Sequence, residues 1–361
     1  MKKLQLMGVE LSSLENSPLV SIVIDNYNYA RFLRQAIDSV LEQTYRNFEI
    51  IVVDDGSTDS SREVMKSYGD RIITVFQNNS GQGAAFNSGV THSKGQIICL
   101  LDADDYFHQD KLKKVVETFQ KQPRWVQVSH KCIAVNEEGQ PINFGGSVRN
   151  FDQGDVRSLL LSLGKYKWMR TSGRAYRREA LESTLPIVSG KVDSADAYLL
   201  VTVPFYGEVG GIDDALMFYR IHGKNKHART ADIHHLVRGR ELIADYINQV
   251  VTKLEMTDSF NLQQDADYLT FKAMQAGGVS WIEALKILGL TLREATSLKR
   301  SIRETLTRLL WGSICILAPS EGEAVLRFGL NSYLRAKLLG KELKNEPKLT
   351  AEQTDSQAGK S

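Results

Sequence analysis

In the N-terminal third of the chain, apolar residues follow two alternating rhythms. Residues 19–24, 48–53, 72–76 and 97–101 are short, nearly continuous apolar runs. Runs of that length predict strands buried on both faces of a sheet. Between and after them the spacing becomes helical. Leu33, Ala36, Ile37, Val40 and Leu41 share one stripe of a helix over 31–42, and Leu112, Val115, Val116 and Phe119 mark another. Residues 83–91 read as a short helix of small side chains. Ser60 with Glu63 has the spacing of a capping box for a helix before the third strand. This alternation predicts an α/β fold built on a doubly wound, mostly parallel sheet. Residues 125–135 alternate and run into the turn residues Asn136 to Gly139, which predicts the start of a hairpin.

From about residue 230 only the helical rhythm remains, over 236–254, 265–276, 282–298 and 302–310, broken once at Gly277-Gly278. It predicts an all-helical C-terminal extension. The polar stretch 344–361 reads as a disordered tail. The expected organisation is therefore a catalytic domain over 17–228, helices over 229–343 and the tail.

Composition narrows the function classes. With 45 basic and 43 acidic residues, the net charge of +2 gives no global reason to expect a nucleic-acid partner. Cys99, Cys132 and Cys315 lie far apart, form no CxxC pair and read as free thiols in a reducing cytoplasm. Lys2 and Lys3 are followed by no long apolar core before Glu10, so no signal peptide is expected. The longest apolar stretch, 309–318, is interrupted by Gly312 and Ser313. It has about half the ~20 residues that a spanning helix needs. A cytoplasmic protein is expected, resting at most on the surface of a membrane.

Ligands of open α/β sheets bind beyond the carboxyl ends of the strands. Three polar clusters fall at such ends: Asp25-Asn26-Tyr27-Asn28, Asp54-Asp55-Gly56-Ser57 and Asp102-Ala103-Asp104-Asp105. Neighbouring carboxylates repel one another, and a cation relieves the repulsion. Hard oxygen donors suit Mg²⁺ or Mn²⁺, which characteristically bind one or two carboxylates together with substrate phosphates. The plain alternative is that Asp104 or Asp105 caps the next helix. No GxGxxG follows the first strand, and no P-loop signature is present.

Residues 18–226 resemble the large inverting glycosyltransferase family 2, with its GT-A fold. The resemblance is carried by Val52-Val53-Asp54-Asp55-Gly56-Ser57-Thr58-Asp59, by the Gly/Ala/Asn segment Asn79 to Gly89, by Leu101-Asp102-Ala103-Asp104-Asp105 and by Tyr219-Arg220-Ile221-His222-Gly223. It implies that Asn26 and Tyr27 line the nucleoside pocket. It puts Asp54, with Asp55 beside it, at the base, Asp102 near the ribose and Asp104 on the metal. His222 is implied near the metal or diphosphate, against the alternative of a structural histidine. An inverting transfer also needs a carboxylate to take the acceptor proton. The family's Glu-Asp pair falls here on Ala195-Asp196, so Asp196 is the expected base; Asp193, three residues earlier, is the alternative base or an N-cap.

The implied reaction is metal-dependent transfer of a sugar from a nucleotide-diphosphate sugar, UDP-sugar favoured, to a glycan or lipid-linked acceptor. No QxxRW element follows Asp196, which favours single additions over processive synthesis. Two departures stand out: Asp25-Asn26 replaces the usual Pro-Thr, and Ala195 replaces Glu. They motivate a rival reading, a non-catalytic nucleotide-sugar binding module of the same fold. A nucleotidyltransferase ranks lower, because residues 25–28 offer no Gly-rich basic loop. Arg174 and Arg177 are candidate phosphate contacts, against the commoner solvated basic face. Lys299, Arg300, Arg303 and Arg308 precede the apolar stretch 309–317 and admit a membrane-surface helix, although a packed helical layer is the favoured reading.

Overall fold

Four parallel strands stand where the apolar runs predict them. The computed structural model describes residues 4–6, 9–142, 150–187, 195–223 and 232–339. Its strands are β1 (Leu4–Leu6), β2 (Val9–Leu11), β3 (Val20–Asn26), β4 (Phe48–Asp55), β5 (Ile73–Gln77), β6 (Ile97–Asp102), β7 (Tyr106–Phe107), β8 (Trp125–Val135), β9 (Arg174–Arg177) and β10 (Glu208–Arg220). The main sheet runs β5-β4-β3-β6-β9-β8-β10-β7. Strands β3 to β6 are mutually parallel, as expected. Beyond them the sheet is mixed: β9 runs antiparallel to β6 and β8, β10 parallel to β8, and β7 antiparallel at the far edge.

Period-two alternation explains why helices cover both faces. Ile22, Ile24, Val52 and Leu101 point to one side and pack with Leu33, Ile37 and Leu112 of the helices Ala30–Leu41 and Lys111–Lys121. Val23, Ile51, Val53 and Leu100 point to the other, against Phe86, Leu199 and Ile247. The winding reverses between β3 and β6, which opens a crevice at their carboxyl ends.

Several local expectations are corrected. Ser60 sits at the N-cap of Ser61–Lys66, but its side chain makes no capping bond. Asp59 Oδ1 instead accepts from the Ser61 backbone N–H at 3.0 Å and from its hydroxyl at 2.6 Å. The turn at residues 136–139 forms, yet within the described residues the return is a single bridge from Val135 to Pro141; the long partners of β8 are β9 and β10. The small β1–β2 hairpin was not expected, and its Val9 and Leu11 join the core.

The C-terminal helices are Ile233–Lys253, Ala266–Gln275, Trp281–Ser297, Ile302–Leu317, Pro319–Phe328 and Leu330–Leu339. The apolar stretch 309–318 is mostly the second half of one of them. Ile247, Val250 and Val251 of the first helix lie in the same core as the sheet. A buried ion network reinforces the junction. Lys165 Nζ meets Asp267 at 2.5 Å and Glu294 at 2.9 Å, Arg240 pairs with Asp265, and Arg308 with Asp267. Arg300 pairs with Glu294 at 2.6 Å, so Arg300 and Arg308 are packing residues, whereas Lys299 and Arg303 are exposed. The expected boundary near 228 and the tail from 344 lie outside the described residues.

Candidate active site

The crevice between β3 and β6 gathers four carboxylates. Parallel register sets Asp25 opposite Asp102, and Asn26 opposite Asp54. Gln82, the first residue of the helix Gln82–Thr91, donates its amide to Asp25 Oδ2 at 3.2 Å and to Asp102 Oδ1 at 2.9 Å. Oxygen atoms of Asp102, Asp104 and Asp105 lie within 4.8 Å of one another. Burial, then the Asp104 charge, lifts the Asp25 carboxyl to about 7 despite the Gln82 bond. Burial and the charges of Asp25, Asp105 and Asp104 hold Asp102 well above its usual range, and burial with Asp104 does the same to Asp105.

These residues fit a hard divalent cation. The donors are carboxylate oxygens, and Asp25 Oδ1 and Asp105 Oδ2 are buried with no hydrogen-bond partner. The other oxygen of Asp105 accepts the Arg220 backbone N–H at 2.9 Å. His222 Nε2 lies 2.9 Å from Asp104 Oδ2, with its ring against Tyr29 and Phe32 and its side chain fully buried. It reaches Asp104 directly but is not one of the three mutually close ligand residues.

On the side where the family resemblance puts the nucleoside, the β3 and β4 loops are stitched together. Asn26 Nδ2 donates to Asp54 Oδ1 and to Ser57 Oγ, both at 3.1 Å. Asp54 Oδ2 accepts from Ser57 N at 3.2 Å and from Arg62 Nε at 3.0 Å. The Asp54 side chain has no exposed surface, so its oxygens are committed to protein donors. The outermost of these groups is Arg62, whose side chain is 45% exposed and stacked on the half-exposed ring of Phe76. Tyr27 is exposed at the same loop. Asp55 is also committed: it accepts from Gln77, Ser80 N and Gly81 N, each at 2.8 Å, and so shapes the loop that leads into the helix Gln82–Thr91. Gly56 makes this turn possible: its φ is +77°, and a Cβ there would stand only 2.7 Å from Asn79 N.

The third side is a single helical turn, Thr171–Gly173. Thr171 Oγ1 donates to Asp196 Oδ1 at 2.8 Å, and Ser172 Oγ accepts the Asp102 N–H at 3.1 Å. Two adjacent residues therefore tie Asp196, in the first turn of Ala195–Thr202, to the acidic cluster. Lys111, fully buried over the Phe107 ring, holds the turn by donating to the Ser172 carbonyl at 2.6 Å; burial pulls its ammonium down to about 8. Arg174 pairs with the Asp196 carboxylate and Arg177 binds the Ser12 carbonyl at 2.5 Å; both are buried, so neither forms a solvated basic face. Asp193 lies outside the described residues.

Comparisons with known proteins give the family and the fold. The model of the glycosyl transferase family 2 matches residues 21–185. A protein of Nostoc sp. (strain PCC 7120), named as an uncharacterized glycosyltransferase, is 36% identical over 267 residues, covering 71% of this chain and 83% of that one. The chain belongs to glycosyltransferase family 2. The glycosyltransferase is also 45% identical over 105 residues to one of Rickettsia prowazekii, covering 29% of this chain and 33% of that protein. Its fold is shared with Staphylococcus aureus TarS 1-349 in complex with UDP-GlcNAc: TM-score 0.53, 16% identity, 90% of this chain and 93% of that one. Glycosyltransferase-named relatives make this an enzyme and weigh against the binding-module alternative.

Sequence reasoning found the strand-end aspartates of the glycosyltransferase but missed their holders. Gln82 and Arg220 sit inside motifs already singled out. Arg220 fixes the Asp104 carbonyl through Nε at 2.9 Å and stacks on Phe32 and Tyr106. Arg62, Thr171 and Ser172 carry no sequence signal, because only the folded chain brings them to acids far away along it.

Proposed function

We propose that this glycosyltransferase transfers a sugar with inversion, in single additions, from a nucleoside-diphosphate donor to a hydroxyl of a glycan or lipid-linked acceptor. UDP-sugar is the favoured donor, a reading supported at the level of fold by the UDP-GlcNAc bound to TarS. The observation that carries the proposal is the bridge through Thr171 and Ser172, which puts a carboxylate, Asp196, beside a buried acidic crevice.

In the proposed reaction the acceptor oxygen attacks the anomeric carbon and its proton passes to Asp196. The bond from that carbon to the diphosphate oxygen breaks, and its electron pair leaves with the diphosphate. Thr171 and Arg174 orient the Asp196 carboxylate, while Tyr27 and Arg62 face the nucleoside and the buried Asn26 holds the β3 and β4 loops together. Asp54 and Asp55 act by shaping the two loops beneath it. Asp102, Asp104 and Asp105 would hold Mg²⁺ or Mn²⁺, with His222 steadying Asp104; a bound ion would neutralise charge on the departing diphosphate. Among the described residues no helix is long and apolar enough to cross a membrane. The proposed setting is polysaccharide synthesis in the cytoplasm, peripheral to the inner membrane face.

Titration of the purified protein with UDP-, GDP- and dTDP-sugars, with and without Mn²⁺, tests this. Metal-enhanced binding of one of them is expected, and Asp196→Asn should keep that affinity while turnover falls by about 10²–10⁴-fold. Absence of binding to all three in both conditions would overturn the reading.

A further inference from the structure

The helices Trp281–Ser297 and Ile302–Leu317 carry large apolar side chains on their outer face. On the first, Trp281, Ile282, Leu285 and Leu292 are exposed, Trp281 at 73% and Ile282 at 81%. On the second, Ile302, Leu306 and Leu310 are exposed. Helical spacing gathers each set on one face, separate from the core-facing Ala284, Ile287, Gly312 and Ile316. The helices meet where Leu288 approaches Gly312, and Ile287 and Ile316 share one buried cluster. Both exposed faces flank that seam, so they form one surface. Scattered apolar residues are ordinary on a protein exterior; a contiguous group of this size marks an interaction site.

The charges around this surface select its partner. Lys286, Arg293, Lys299 and Arg303 are exposed on the same two helices and the link between them. The exposed acids there, Glu283 and Glu304, are tied to Ser280 and Ser301 as capping boxes at the helix starts. A second copy laid over this face would bring one cationic rim onto another. An anionic lipid surface complements the rim and accepts the indole and aliphatic side chains at the depth of the headgroups.

We propose that this face docks the glycosyltransferase on a bilayer containing anionic phospholipid. The inference deepens the peripheral part of the proposed function and needs neither the metal site nor Asp196. The test is co-sedimentation of the full chain with vesicles of phosphatidylcholine alone or mixed with phosphatidylglycerol. Binding to the mixed vesicles is expected, weakened by salt. The triple variant Trp281→Ser, Leu285→Ser, Leu306→Ser should lose about tenfold in binding, as should Lys286→Glu, Arg293→Glu, Arg303→Glu. All six positions are exposed, and unchanged melting of the variants verifies their fold.

No binding to mixed vesicles overturns the proposal, as does equal binding of the wild type and the apolar variant. A dimer in sedimentation velocity that the apolar variant abolishes, with no vesicle binding, would assign the face to a second copy instead. Calorimetry with the nucleotide sugar on the same samples separates the two ideas: failure there sinks the transfer reading and leaves the vesicle result standing.

Discussion

The Thr171 hydroxyl donates to Asp196 Oδ1 at 2.8 Å, from a loop that the chain reaches 25 residues before the acid. If Asp196 is the base, that bond sets the direction from which it takes the acceptor proton. Thr171→Val keeps the shape and removes the donor. A loss of about 1–3 kcal/mol is expected for the unmet partner, or roughly ten- to hundredfold in kcat. Donor KM should barely move, and Thr171→Ser should restore kcat. A parallel rise in KM would show that the turn serves the donor site instead.

His222 braces Asp104 within the acidic cluster, and Asp104→Asn removes one of its charges. Calorimetric titration should show that Mn²⁺ no longer tightens nucleotide-sugar binding in this variant, while metal-free binding changes little. EDTA should weaken binding by the wild type and leave the variant unaffected.

Gly56 holds the β4 loop at φ +77°, where an added Cβ crowds Asn79. Gly56→Ala is expected to destabilise the protein by about 1–3 kcal/mol. Chemical denaturation measures that cost. Nucleotide-sugar affinity should drop as well, since the same turn carries Ser57 to Asn26.

Asp267 links stability to acid. Burial raises its carboxyl, but Arg308, Lys165 and Arg240 outweigh burial and hold it well below the ordinary 3.8. A folded-state pKa below the unfolded one means that the unfolded chain binds the proton more readily. The stabilisation is therefore fully present above about pH 5 and declines as pH falls through 3.8 toward the folded value. Denaturant melts between about pH 3 and 7 should show that slope, and Asp267→Asn should flatten it. The variant should also lose about 1.5–3 kcal/mol at neutral pH, because Lys165 and Arg308 each lose a charged partner and keep Glu294 nearby.

By itself, the sequence determined the parallel half of the sheet, the helical character of the C-terminal part and the aspartates at the strand tips. These follow from local physics: apolar periodicity selects strand or helix, and a wound parallel sheet sends its strand ends to one edge. Only the tertiary structure decided what each aspartate touches. Asp54 and Asp55 look alike in the sequence as sugar-nucleotide contacts, yet both are spent on backbone and side-chain donors of their own loops. The mixed half of the sheet, the pairing of Arg174 with Asp196 and the bare face along Trp281 and Ile302 were equally out of reach. Each depends on which residues, distant along the chain, come to share a volume, and no local pattern encodes that.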